Sequence, residues 1–72
     1  MITGEQVKAA RNLLGWSQMK LALEADISQK TLANFENGQR VKSDRKILVI
    51  HNTLERAGVE FREGEPLRFK AK

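Results

Sequence analysis

The chain has 72 residues, of which 40% are hydrophobic and 6% aromatic. This length allows one small domain without a deep catalytic cleft, and the absence of cysteine excludes disulfides and thiolate zinc sites. The net charge of +4 favours an anionic partner such as nucleic acid, although many small soluble proteins are equally basic.

The first predicted helix begins at a capping box formed by Thr3 and Gln6. Apolar residues then recur at spacings of three and four, as in a helix with one buried face: Val7, Ala10, Leu13 and Leu14. Gly15 can adopt the left-handed conformation that ends a helix, and Trp16 is expected to pack in the core behind it.

Ser17 and Ser28 are predicted to cap a second and a third helix, with a tight turn at Asp26-Ile27 between them. The expected buried residues of these helices are Leu21, Ala22, Ala25, Leu32 and Phe35. Asn37-Gly38 should end the third helix, because both residues tolerate a positive φ.

A polar, basic loop over residues 39–42 leads to a fourth helix, which is capped at Ser43-Asp44 and ends near Gly58. Its predicted core stripe is Ile47, Ile50, Leu54 and Ala57. The helices therefore form one unit over residues 1–58.

Residues 59–72 change to a period of two, with Val59, Phe61, Leu67 and Phe69 alternating with charged residues. This pattern predicts a β-hairpin around a turn at residues 63–66. Because an isolated hairpin is marginal in water, this segment should either pack on its own helices or pair with a second chain as a dimerisation element.

Four segments together resemble the Cro/C1-type (XRE-like) helix-turn-helix family of bacterial and phage transcriptional regulators: Leu14-Gly15-Trp16-Ser17-Gln18, Leu21-Ala22, Ile27-Ser28 and Phe35-Glu36-Asn37-Gly38. The resemblance implies an all-α, compact, lambda-repressor-like DNA-binding domain of four to five helices, followed here by a short hairpin or extended tail. Asp26 stands where the family usually has glycine, and aspartate tolerates the left-handed turn better than most residues.

The resemblance also implies roles for individual residues. Those expected to contact base edges are Gln29, Lys30 and Asn34. Those expected to contact phosphates are Ser17, Gln18, Thr31, Gln39, Arg40 and Lys42. The side-chain chemistry is consistent with this, because an amide matches the edge of adenine and an ammonium donates to guanine. The alternative is an ordinary solvated helix face.

The sequence therefore predicts a cytoplasmic, sequence-specific DNA-binding regulator, a repressor that contacts the major groove as a homodimer on a palindromic operator. The alternative is an antitoxin-like protein-interaction module on the same scaffold. An enzyme has little support, because the only histidine, His51, has no catalytic or metal-binding neighbour in the sequence. No cofactor, metal or membrane contact is expected.

Overall fold

A computed structural model describes residues 2–61 and 68–69, and this part of the chain contains four helices and one pair of short strands. The helices are α1 (Gly4–Leu14), α2 (Gln18–Ala25), α3 (Gln29–Glu36) and α4 (Asp44–Arg56). Strand β1 (Val59–Glu60) pairs antiparallel with β2 (Arg68–Phe69). The predicted fold class is confirmed, with four helices among the described residues.

Each helix begins at the predicted capping residue. The Thr3 hydroxyl accepts from the Gln6 N–H at 3.2 Å while the Gln6 side chain accepts from the Thr3 N–H at 2.9 Å, which completes the capping box. Ser17, Ser28 and Ser43 each accept from the backbone N–H three residues later. Because these contacts are local, the helix starts follow from the sequence alone.

The turns between the first three helices depend on backbone conformation at two residues. Gly15 ends α1 with φ 72°, and Asp26 ends α2 with φ 57°, so aspartate does adopt the left-handed turn. Helix α3 ends at Asn37-Gly38 as predicted, and of this pair Gly38 has the left-handed conformation, with φ 85°, whereas Asn37 has φ −83°. Asn37 still donates its N–H to the Ala33 carbonyl, so the chain reverses only at the glycine.

The core combines apolar side chains from all four helices and β1, and its buried members are Val7, Ala10, Leu21, Ala22, Ala25, Leu32, Phe35, Ile47, Ile50, Leu54 and Val59. Helix α1 begins directly against the end of α3. A Cβ at Gly4 would overlap the Phe35 carbonyl oxygen, so this approach requires glycine.

Four predicted core positions are less buried than the sequence pattern suggested: Leu13, Leu14, Trp16 and Ala57. Leu13 is 37% exposed. Leu14, seven residues after Val7, lies on the same face of α1 as Val7, and Leu13 is rotated about 100° away from that face. Leu14, Trp16 and Ala57 are half-buried, since Leu14 is the last residue of α1 and the other two lie just beyond a helix end. Trp16 nevertheless packs against the core.

The start of the C-terminal segment, Val59 to Phe61, packs on the helices of its own chain. Val59 is fully buried in the core, and Phe61 packs against it with its ring edge-on to His51 at a centroid distance of 5.0 Å. Val59 pairs with Phe69 and Glu60 with Arg68, which confirms the predicted antiparallel pairing of two short strands. The predicted turn at 63–66 and Leu67 lie outside the described residues.

Among residues 2–61 and 68–69, no helix combines the length and the apolar character that a bilayer span requires.

Candidate nucleic-acid interface

The first turn of α3 presents polar side chains to solvent. Ser28 fixes where this helix begins, and Gln29 and Lys30 follow as its first two residues, both exposed. Asn34 lies one turn after Lys30 on the same side of the helix and is half-buried. The opposite side is held in the core by Leu32 and Phe35. The three predicted base-contacting residues therefore share the outer side of one short helix.

Thr31 borders this surface and takes part in the cap of its own helix. Its N–H donates to the Ser28 oxygen at 3.0 Å, and the Ser28 hydroxyl donates to Thr31 Oγ1 at 2.7 Å. Thr31 is half-buried, and its hydroxyl hydrogen remains able to donate to an external acceptor. The paired hydroxyls hold the first turn of α3 in one geometry.

The start of α2 carries the other predicted phosphate contacts. The exposed Ser17 accepts from the Lys20 N–H at 3.0 Å, which leaves the free amides of the first turn directed out of the helix end. Gln18 is half-buried, and its Nε2 donates to Glu36 Oε1 at 3.2 Å. This hydrogen bond joins the start of α2 to the end of α3.

The Gln18 contact belongs to a buried polar network that the sequence analysis missed. Arg11 Nε donates to Glu36 Oε2 at 2.9 Å and Arg11 Nη2 to Glu36 Oε1 at 3.0 Å, while Nη1 donates to the Trp16 carbonyl at 2.9 Å. The Arg11 and Glu36 side chains are 12% and 2% exposed. The available signal was that Glu36 follows Leu32 by four residues, and so lies on the buried face of α3.

The loop after α3 continues the polar surface. The Gln39 N–H donates to the Asn34 carbonyl at 2.9 Å, so the loop starts directly from the end of α3. Val41 turns inward and packs against the core. The other loop residues, Gln39, Arg40 and Lys42, are exposed.

Helix α3 and the segment that follows it carry a concentration of exposed basic residues. Lys30 and the basic residues that follow α3 are all exposed: Arg40, Lys42, Arg45 and Lys46. Between residues 28 and 46 the acidic residues are Glu36 and Asp44, and Glu36 is buried against Arg11. The Glu36 charge is therefore paired inside the protein, and Asp44 is the one exposed acidic residue between residues 28 and 46.

The described residues contain no group of three or more His, Cys, Asp or Glu side chains placed to hold a metal ion. The half-buried His51 lies with Glu55, whose Oε1 is 3.5 Å from His51 Nε2, and with Phe61. It does not join the polar surface around α3.

Comparison with curated proteins found no match. Comparison with protein-family models matched residues 7–61 to HTH_3, described as helix-turn-helix. This span contains α2, α3 and the turn between them, together with most of α1, all of α4 and β1. The chain belongs to the HTH_3 family, the Cro/C1-type (XRE-like) family of DNA-binding helix-turn-helix regulators.

Proposed function

We propose that the protein is a sequence-specific transcriptional repressor that binds a palindromic operator in cytoplasmic DNA as a homodimer. The observation that carries this proposal is the polar row on the second helix of a helix-turn-helix motif, formed by the exposed Gln29 and Lys30 and the half-buried Asn34. In such motifs the second helix enters the major groove with its N-terminal residues against base edges.

Specificity in this proposal comes from three side chains. The amides of Gln29 and Asn34 each combine a donor and an acceptor, which matches N7 and N6 of adenine, and Lys30 donates to O6 and N7 of guanine. Because Lys30 and Asn34 are one turn apart, they would contact neighbouring base pairs.

Affinity comes from contacts to the DNA backbone. The proposed phosphate-contacting residues are Ser17, Gln18, Thr31, Gln39, Arg40 and Lys42. Those at the starts of α2 and α3 lie where free backbone amides and the positive end of the helix dipole favour an anion. The loop residues add positive charge beside them.

The first turns of the four helices differ in a way that supports this assignment. Helices α1 and α4 carry an acidic residue there, Glu5 and Asp44, which is the stabilising choice at a helix start. Helices α2 and α3 carry no acid in the first turn, where Lys20 and Lys30 lie, whereas in α4 the acid Asp44 stands beside Arg45 and Lys46. A lysine in the first turn destabilises the helix itself, because its charge repels the positive end of the helix dipole, but it attracts a bound phosphate.

Dimerisation is proposed because one recognition helix contacts only a few base pairs. Two copies on half-sites about 34 Å apart along the duplex would supply the missing specificity. We assign the contact to residues 59–72. Strand β2 is an edge strand of the two-stranded sheet, and edge strands can pair with a second copy of the chain.

Selection of bound duplexes from a random DNA pool tests the base contacts. The double variant Gln29→Ala/Lys30→Ala should lose its preference for the selected duplex, by about 2–6 kcal/mol for two base contacts, while its melting temperature is preserved. Lys8→Ala is the control, because it removes an exposed lysine from α1. An unchanged preference in the double variant would contradict the proposal.

The dependence of affinity on salt tests the backbone contacts. Arg40→Ala should weaken binding to selected and unrelated duplexes alike and reduce the slope of log K against log salt by about one unit. Arg56→Ala is the matched control, because Arg56 is exposed at the far end of α4, about 18 Å along the helix from its start. Equal slopes for the two variants would refute the role of Arg40.

Sedimentation tests the dimer. The full chain should associate with increasing concentration, and a chain that ends at Phe61, which keeps Val59 in the core, should remain monomeric. Far-UV circular dichroism checks that the shortened chain is folded. Undiminished association would show that residues 62–72 are not the dimer contact.

A second candidate is an antitoxin-like function. It is favoured by Met19 and Leu23, which lie four residues apart on α2 and are 57% and 73% exposed. If a toxin covers this pair, Met19→Gln/Leu23→Gln should abolish its co-purification with the product of a neighbouring toxin gene and leave DNA binding intact. Co-purification that survives the change would remove this support.

A further inference from the structure

The side chain of Gln18 is tied to a carboxylate inside the protein. Its Nε2 donates to Glu36 Oε1 at 3.2 Å, and the Glu36 side chain is 2% exposed. Arg11 holds both oxygens of the same carboxylate, at 2.9 and 3.0 Å. Because two parallel bonds fix the plane of the Glu36 carboxylate, Oε1 is a stationary acceptor for the Gln18 amide.

Because Glu36 holds the side-chain amide of Gln18, the orientation of the second N–H of that amide is also fixed. The Gln18 side chain has two N–H groups, and one of them is directed to Glu36. Among the described residues, its second N–H has no hydrogen-bond partner. Because the amide group is planar, its two N–H bonds lie about 120° apart. The second N–H bond therefore has a fixed direction at the start of α2, where Gln18 is half-buried.

We infer that Glu36 is a positioning residue for the DNA backbone: it holds Gln18 so that the second amide N–H is presented to a phosphate at the start of α2. This inference rests on the proposed function, in which Gln18 contacts a phosphate. Glu36 itself does not reach the DNA, and Arg11 neutralises its charge, so the carboxylate can serve beside an anion without strong repulsion.

The gain in affinity for DNA that this inference predicts comes from preorganisation of the Gln18 side chain. A free glutamine loses rotamer freedom when it binds a phosphate, whereas Gln18 is already ordered by Glu36. Avoiding this loss of side-chain entropy at one residue corresponds to a roughly two- to tenfold higher affinity.

A double-mutant cycle tests the inference. Arg11→Met/Glu36→Met removes the acceptor without changing the net charge, and this pair replacement is combined with Gln18→Ala. Dissociation constants for a short mixed-sequence duplex are measured at low salt, below the melting temperature of every variant. We expect the pair replacement to weaken binding roughly two- to tenfold when Gln18 is present and to have no effect when residue 18 is alanine.

The other outcomes are distinguishable. Equal losses in both backgrounds would overturn the positioning role alone. If Gln18→Ala binds DNA as well as the unmodified protein, the phosphate contact of Gln18 is wrong and the inference falls with it. If the unmodified protein binds no duplex at all, the proposed function itself is overturned.

A measurement on the unmodified protein avoids any dependence on the folding of the variants. The heteronuclear NOE of the Gln18 side-chain amide should resemble that of the rigid backbone, whereas the exposed Gln29 side chain should be mobile. Equal mobility of the two side chains in the free protein would overturn the inference.

Discussion

Replacing Arg11 by methionine is expected to destabilise the protein more than any surface substitution. The change keeps the unbranched stem but removes the three donors that hold both Glu36 oxygens and the Trp16 carbonyl. The Glu36 carboxylate, 2% exposed, would then be buried without its counter-charge. Breaking a buried pair by removing one partner costs about 3–5 kcal/mol.

That cost is a large part of the total stability. A domain of this size is expected to unfold with a free energy of about 4–11 kcal/mol, and 1 kcal/mol corresponds to about 4–8 °C in melting temperature. Arg11→Met should therefore lower the melting temperature by at least about 12 °C. Thermal and urea unfolding followed by circular dichroism at neutral pH would measure the change.

Two controls separate this explanation from a general loss of packing. Arg11→Met/Glu36→Met should recover most of the stability, because it removes the unpaired charge together with its partner. Lys20→Met removes an exposed ion pair to Glu24 at 3.4 Å and a cation–π contact to Trp16, and should cost less than about 1 kcal/mol. The reasoning is refuted if Arg11→Met costs no more than Lys20→Met.

Three further substitutions test the fold by unfolding measurements. Gly4→Ala should destabilise the protein, because the new Cβ would overlap the Phe35 carbonyl oxygen and push α1 away from α3. An unchanged free energy of unfolding would show that the two helices can move apart without cost. Ser28→Ala should lower the free energy of unfolding by about 1 kcal/mol, because it removes the cap of α3. An unchanged free energy of unfolding would mean that the Thr31 N–H finds another hydrogen-bond acceptor. Asp26→Gly should stabilise the turn by up to about 1 kcal/mol, because residue 26 has φ 57°, and a lower melting temperature would contradict this.

Helix starts, helix ends and most of the core were predictable from the sequence because they depend on neighbours within about one turn. Ser17, Ser28 and Ser43 accept from the backbone three residues ahead, and Gly15 adopts its own left-handed conformation. The same short spacing placed Gln29 and Lys30 in the first turn of α3. The family resemblance then supplied a role for them.

Tertiary packing decided what no local pattern contains. Arg11 and Glu36 are 25 residues apart, and only the approach of α1 to the end of α3 makes them a buried pair. The same approach requires glycine at position 4. Whether Val59 would join its own core or a second chain was likewise left open by its alternating pattern, and packing against α4 placed it inside. The sequence alone thus determined the helices and the polar row on α3, whereas the structure determined how Gln18 is held beside that row, since this depends on contacts between residues distant in the chain.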